Sequence, residues 1–205
     1  MPTPRPDRER RATAILAAAA VAMAAATALG QTDPRIIIDI ENPDIATVGG
    51  STAVRLFAQF DDASDYAIAG VATRLISDQG GAGWSDFRLV SPMDGPGTSA
   101  GSSSATGVDG ILAGQLNFPP AGIFADPTNP IAFWEATYSV PVGAGPMVLN
   151  LSTVTSRFDV YIDRDMAASE SRLDGLTEGS GRITVTPAPA SALVLLGLLA
   201  VRRRR

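Results

Sequence analysis

Acidic side chains offer most of the chemistry that this 205-residue sequence could perform. Asp61, Asp62 and Asp65 lie close together in a turn-rich segment. Several carboxylates that converge from a loop are the ligands that Ca²⁺ prefers, although the spacing is not that of an EF-hand. We therefore identify these residues as a candidate calcium site, with solvated turn aspartates as the alternative. A second candidate cluster follows later in the chain: Asp159, Asp163 and Asp165.

Catalysis could use only carboxylates as general acid and base. The sequence has no Cys and no His, and all 16 basic residues are Arg, which excludes thiol, imidazole and Schiff-base chemistry. Glycoside hydrolysis needs two carboxylates at a set separation, and nothing marks such a pair. The glutamates between the termini are Glu41, Glu135, Glu170 and Glu178. We predict no catalytic residue and no enzyme activity; a secreted carboxylate-dependent hydrolase remains an alternative.

Aromatic side chains suggest a carbohydrate-binding role as another alternative, because flat rings stack on sugars. Trp84 follows a glycine-rich stretch, Gly80–Gly83, and loop residues often serve in binding. We identify Trp84 as a candidate ligand-binding residue, with packing beneath the loop as the other interpretation. Trp134 and Tyr138 fall on the apolar side of a strong strand pattern, which places them in the core.

The charge of the chain is divided between its ends and its body. Residues 31–186 contain 8 Arg against 19 Asp and Glu, while the remaining Arg lie near the two termini. An acidic body repels phosphate, so nucleic acid is excluded as a partner. The surplus of negative charge is typical of a solvated surface on a secreted protein.

The elements that must position these residues are β-strands. Apolar and polar residues alternate with a period of two, which predicts strands with one buried and one wet face. The pattern covers Ile36–Ile40, Val54–Phe60, Trp134–Val140, Met147–Leu151, Phe158–Ile162 and, more briefly, Arg182–Val185. We predict an all-β, two-layer antiparallel β-sandwich, either immunoglobulin-like or jelly-roll and cohesin-like, over residues 31–185.

The segments between these strands have weaker patterns. Residues 66–76 and 110–118 read as two further strands. Residues 95–107 contain 8 Gly and Ser and read as a flexible loop. Residues 163–176 are the one stretch of the body with a helical pattern.

The first thirty residues are typical of a secretory signal peptide. A basic head is followed by an Ala-rich apolar run, and small residues at Ala28 and Gly30 suit a signal peptidase. We predict a signal helix over residues 1–30 with cleavage between Gly30 and Gln31. An uncleaved membrane helix and a twin-arginine signal at Arg10 and Arg11 are the alternatives.

The C-terminal residues, 186–205, combine three features in a fixed order. Pro187-Ala188-Pro189 precedes an apolar run, Ala190–Val201, and Arg202, Arg203, Arg204 and Arg205 end the sequence. As a helix the run reaches only about 18 Å, short of the roughly 30 Å hydrocarbon core of a bilayer. The Arg cluster would stay on the cytoplasmic side, so the segment suits transient membrane association.

This order resembles the PEP-CTERM sorting signal of exported bacterial proteins, with Ala188 where that family usually has Glu. The resemblance implies recognition by signal peptidase and by an exosortase-like sorting enzyme, then attachment at the cell surface or release into the extracellular matrix. It also implies an association with exopolysaccharide or biofilm. The body is faintly similar to cohesin-type and related carbohydrate-binding sandwiches. The similarity lies in Val48-Gly49-Gly50 before Thr52–Phe60, in Phe133–Pro141 before Met147–Leu151, and in Gly181–Val185.

These features together predict an exported, non-catalytic protein of the cell surface or extracellular matrix. We expect no cofactor apart from the Ca²⁺ considered above. The alternatives are the carbohydrate-binding module, which could depend on Ca²⁺, and the hydrolase. An unprocessed tail anchor is the alternative to the sorting signal.

Overall fold

Two facing β-sheets make up the computed structural model, which describes residues 34–47, 49–60, 62, 64–124, 126 and 128–187. The strands are β1 (Arg35–Ile40), β2 (Asp44–Ala46), β3 (Ser51–Gln59), β4 (Ala67–Ser77), β5 (Trp84–Leu89), β6 (Ser99–Ser104), β7 (Gly107–Gly114), β8 (Ile131–Ser139), β9 (Met147–Tyr161), β10 (Ser169–Ser171) and β11 (Ser180–Thr186). The described part of the chain contains no α-helix, and hence none that could cross a membrane. The all-β, two-layer prediction is confirmed.

The smaller sheet has the order β1-β3-β8-β5 and the larger sheet the order β2-β11-β9-β4-β7-β6, with β10 also beside β9. All pairings between these strands are antiparallel except that of β2 with β11, which is parallel. β1 and β2 belong to different sheets although they are neighbours in the chain, so this segment joins the two layers.

The core lies between the two sheets, as the period-two patterns predict. Val54, Leu56 and Ala58 of β3 are fully buried, while Arg55, Phe57 and Gln59 between them are only half-buried. Burying one apolar side chain of this size contributes about 1.5–3 kcal/mol, so alternation of this kind stabilises the sandwich strongly. The largest fully buried side chains are Trp134, Tyr138, Phe60, Phe133 and Phe158.

The longest strand, β9, combines two strands that the sequence predicts separately. Its alternation runs through Leu149, Leu151 and Thr153, and then changes phase before Phe158 and Val160. The phase change coincides with a β-bulge in the pairing with β4, where the register shifts between Ala72 and Thr73. A bulge adds one residue to a strand, so one continuous strand shows two hydrophobic phases.

Two predictions about the body are wrong. Residues 95–107 are not a loop throughout, because Ser99–Ser104 form the edge strand β6 through backbone pairing with β7. Residues 163–176 form turns and the short strand β10 rather than a helix. There the carboxylates of Asp163 and Asp165 both accept the backbone N–H of Ala167, so side chains compete with helical hydrogen bonds.

The described chain begins and ends at opposite ends of the sandwich. At the first end, which we name the entry end, Arg35 pairs with Gln59 and the carbonyl of Pro34 accepts the N–H of Thr177 at 2.9 Å. From there β1 and β2 run in the same direction as β11. At the other end, the exit end, the carbonyl of Thr186 accepts the N–H of Thr47 at 2.8 Å.

Candidate functional site

The first aspartate cluster is divided between two structural tasks. Asp61 lies outside the described residues. The carboxylate of Asp62 accepts hydrogen bonds from the backbone N–H and the hydroxyl of Ser64, at 2.9 and 2.8 Å, and these bonds lower the pKa of Asp62. Asp65 instead accepts two hydrogen bonds from the Arg172 guanidinium, at 2.9 and 2.7 Å. The calcium role of these residues stays a prediction, and Asp65 already serves as the partner of Arg172.

The second aspartate cluster is likewise separated. Asp159 is buried and forms an ion pair with Arg157 on the same strand. Asp163 and Asp165 lie side by side in the turn that follows, and a hydrogen bond to Asp165 raises the pKa of Asp163. Among the residues that the structure describes, no group of three or more Asp or Glu side chains is arranged to hold a metal ion.

Three of the candidate glutamates have structural partners in the sandwich. Glu135 of β8 accepts hydrogen bonds from Arg55 at 3.1 Å and from Arg88 at 2.7 Å. Burial opposes the charged form of Glu135, but the two guanidinium partners outweigh it, so its pKa is lowered. Glu178 accepts the Thr155 N–H at 2.6 Å, and Glu170 pairs with Arg172.

Trp84 begins β5 and belongs to the core. Its side chain is 6% exposed, and its ring centroid lies 5.2 Å from that of Tyr138. Trp134 is fully buried and donates its indole N–H to the carbonyl of Ala100 in β6, at 2.8 Å. A ring that stacks on a sugar needs an open face, so the ligand-binding role predicted for Trp84 would require β5 to move. The structure favours the packing interpretation for this residue.

The outer face of the larger sheet carries two adjacent depressions that the sequence analysis missed. One, of about 330 Å³, is lined by Leu112, Leu116, Met166 and Arg157 among others. We name it the Leu116 depression. The second, of about 630 Å³, lies over the centres of β4, β7 and β9, and Leu112 lines both. No pattern in the sequence marks this face, because its small residues read as weak strands or as loop.

Exposed apolar side chains accompany the first of these depressions. Leu116 is 70% exposed, and Phe118, two residues further along the segment that leaves β7, is 77% exposed. Of these two residues, Leu116 lines the depression. Isolated exposed apolar residues are common on protein surfaces, whereas large contiguous apolar patches mark interaction sites. This face offers concave shape and some apolar surface for binding.

Comparison with known proteins gives structural neighbours of low sequence identity. No protein-family model matches the sequence, and no curated protein matches it as a relative. Among solved structures, the chain is similar to the seventh type I cohesin of ScaB from Pseudobacteroides cellulosolvens, with 18% identity, a TM-score of 0.46, and coverage of 76% of this chain and 94% of that one.

Two further structures of the same kind are similar to the chain. One is a cohesin-dockerin complex from Clostridium thermocellum, at 16% identity and a TM-score of 0.44, covering 74% of this chain and 99% of that one. The other is a cohesin module of a family 33 glycoside hydrolase from Clostridium perfringens, at 9% identity and a TM-score of 0.41, covering 77% and 100%.

Proposed function

We propose that this protein is an exported, non-catalytic binding module that is sorted to the cell surface through its C-terminal residues. In this proposal a signal peptidase cleaves between Gly30 and Gln31. An exosortase-like enzyme then recognises Pro187-Ala188-Pro189, the apolar run and the Arg cluster, and processes the tail. The body works by association in the extracellular matrix, where exopolysaccharide is its expected neighbour.

The observation that carries the proposal is the position of the exit. The described chain leaves β11 at Thr186 and Pro187, at the exit end of the sandwich. A tether at Pro187 would therefore hold the body by one end. The entry end and the outer face of the larger sheet, which carries both depressions, would stay accessible to a partner.

The state of the carboxylates supports a binding role over a hydrolytic one. Hydrolysis of a glycoside needs one carboxyl group that can hold a proton and one that stays ionised, with the substrate between them. Glu135 and Asp65 are each held by guanidinium groups, and the carboxylate of Glu178 is held by the threonines of β9. These contacts commit the three carboxylates to structural partners within the sandwich.

The proposal is tested by changing the tail while the body stays intact. We expect the chain ending at Pro187 to be released into the medium, and the chain with Arg202–Arg205 replaced by Ser to lose retention at the surface. A single Arg-to-Ser change within the body, at the exposed Arg182, is the control and should leave the distribution among cell fractions unchanged. Equal distribution of all three variants and the natural chain would refute sorting by the tail.

A further inference from the structure

The exit end of the sandwich combines three features: a short tether to the apolar run, few charges and a projecting apolar turn. Together they bear on what this end meets before the tail is processed. The inference rests on the proposed function, because it assumes that Ala190–Val201 is embedded in the membrane at that stage. It adds which surface of the body meets the lipid and which residue reaches it.

The tether between the body and the apolar run is short. The described chain ends at Pro187, and Ala188 and Pro189 separate it from Ala190. Three residues of fully extended chain span about 11 Å at most. The headgroup layer on each side of a bilayer is roughly 5–8 Å thick, which takes up most of that length. When Ala190 lies at the edge of the hydrocarbon core, the exit end is therefore held close to the headgroups.

The length of the apolar run tightens this restraint. As a helix it reaches about 18 Å, against roughly 30 Å for the hydrocarbon core. The Arg cluster stays on the cytoplasmic side, so a run this short either thins the bilayer or draws its flanking residues inward. Both responses leave the tether without slack and keep Pro187 at the outer face of the membrane.

The exit end carries little charge. It is closed by the loops at residues 47–50, 78–83, 105–106 and 140–146. Their one charged residue is Asp78, whose carboxylate accepts the backbone N–H of Asn150 at 3.1 Å and its side-chain amide at 2.7 Å. Glu41 and Asp44 lie further from this end, because Asp44 pairs with Thr184 and Glu41 precedes it. Few charges would therefore lose water when this end meets lipid.

The entry end has the opposite character. Four of its loops contain seven Asp and one Arg, at residues 60–66, 90–98, 115–130 and 162–168. A membrane that contains anionic lipids has a negative surface, which repels acidic loops. Charge therefore favours the same orientation of the body as the tether does, with the entry end away from the membrane.

The turn between β8 and β9 projects from the exit end. Val142 is fully exposed, more so than any other large apolar side chain in the part of the chain that the structure describes. The Ala144 N–H donates to the Pro141 carbonyl at 3.0 Å, which closes the turn. A Cβ atom added at Gly143 or Gly145 would meet no atom within 4 Å, so the turn stands clear of the sandwich.

This turn and the tether leave the sandwich on neighbouring strands. Met147, the first residue of β9, pairs with Val185 of β11, two residues before Pro187. We propose that the exit end rests on the outer face of the membrane while the tail is embedded, with Val142 in the headgroup layer. Removal of the tail ends this contact. Even a single acyl chain binds membranes only marginally, and one valine side chain buries far less apolar area.

The test compares how close the two ends of the body lie to lipid. The sequence has no Cys, so Val142→Cys and Phe118→Cys each carry one fluorescent label, at the exit end and in an exposed loop of the entry end. The nine-residue strand β3 spans about 30 Å between these ends, which separates the two labels clearly. Each labelled chain, from Gln31 to Arg205, is reconstituted into phosphatidylcholine vesicles in which some headgroups carry a nitroxide quencher.

We expect the label at residue 142 to lose most of its fluorescence and the label at residue 118 to lose little. In the chain that ends at Pro187, the label at residue 142 should keep its fluorescence. Equal quenching at residues 142 and 118 would overturn the proposal. Equal quenching at residue 142 with and without residues 188–205 would overturn it too.

A second pair of variants tests the contribution of Val142 itself. With the label at Ala144→Cys, Val142→Asp should reduce the quenching, because a charged side chain resists entry into the headgroup layer. Val154→Asp is the matched control, since Val154 is an exposed valine on the outer face of the larger sheet, and it should leave the quenching unchanged. Equal quenching in the two Asp variants would contradict the role of Val142.

Flotation of the unlabelled chain, Gln31–Arg205, with the same vesicles tests the tail separately. If the chain floats and the quenching pattern fails, the contact of the exit end is wrong, while membrane association through the tail still holds. If the chain does not float, the tail does not enter the membrane, and both proposals fail.

Discussion

The ion pair between Asp65 and Arg172 gives the sharpest prediction about stability. It joins the loop before β4 to the residue after β10, 107 positions apart, through hydrogen bonds of 2.9 and 2.7 Å. The Asp65 side chain is 1% exposed and the Arg172 side chain 31% exposed. The two partners therefore differ in what happens when the other is removed.

Arg172→Gln leaves a buried carboxylate without its cation. Breaking a buried pair in this way costs about 3–5 kcal/mol, and the partial exposure of Arg172 places our expectation at the lower limit, about 3 kcal/mol. Asp65→Asn leaves a guanidinium that still has Glu170 at 2.7 Å and access to water. We expect that variant to lose about 1 kcal/mol, the value of an ordinary hydrogen-bonded contact.

Urea denaturation of the purified protein at neutral pH measures both losses. The double variant Asp65→Asn with Arg172→Gln should be more stable than Arg172→Gln alone, because it no longer buries an unpaired charge. If Asp65→Asn costs as much as Arg172→Gln, or if the two losses simply add, the asymmetric burial of the pair does not govern its energy and the reasoning fails.

Three further predictions concern pH, packing and backbone space. Arg55 and Arg88 lower the pKa of Glu135, so the charged carboxylate stabilises the fold above its unfolded pKa of about 4.3. That contribution is lost as the pH falls through the lower pKa of the folded state. Glu135→Gln should therefore make the free energy of unfolding less dependent on pH in the acid range, and an unchanged pH dependence would refute this. Trp84→Ala should lower the free energy of unfolding by about 3–5 kcal/mol, as loss of a core ring does, and thermal melts measure this. An unaltered melting temperature would contradict the burial of Trp84 in the core. Gly107→Ala should lower the free energy of unfolding, measured in urea, far more than Gly143→Ala does. A Cβ atom at residue 107 would lie 2.1 Å from the Leu75 carbonyl oxygen, while a Cβ atom at residue 143 would face open space. Equal losses of stability in the two variants would contradict the close approach at Gly107.

The fold class could be predicted because alternation is a local property of the sequence. In β3 the inward positions Val54, Leu56 and Ala58 are apolar and each outward position can meet water, so the pattern alone indicates the strand and its buried face. Thr52 is the one polar residue among the inward positions of this strand. Strand β4 is central, because it pairs with β7 on one side and with β9 on the other, and both pairings contain β-bulges. These bulges disturb the alternation of apolar and polar residues along β4. The prediction of residues 66–76 as a strand nevertheless agrees with Ala67–Ser77.

The missed strands depend on partners that are distant in sequence. β6 has no apolar pattern, and it is held by its pairing with β7 and by the bond from the Trp134 indole to Ala100. β5 follows Gly83, whose φ of 89° and close approach to the Ser139 carbonyl require glycine. A glycine-rich stretch therefore reads as a loop, although here it brings Trp84 into the core.

The candidate sites were harder to predict than the fold. The spacing of Asp62 and Asp65 is visible in the sequence, but the partner of Asp65 is more than a hundred residues away. The Leu116 depression likewise joins residues of β7, the segment after it and the turn after β9. Local patterns indicate which residues can form ion pairs or apolar contacts, and only the strand order decides which of them meet.

The intact mass of the protein in each cell fraction tests the central claim most directly. We predict a species in the surface or extracellular fraction that begins at Gln31 and lacks the apolar run and the Arg cluster, Ala190–Arg205. A species in the membrane fraction that retains those residues would contradict the claim, and the protein would then be an envelope domain held by its own tail.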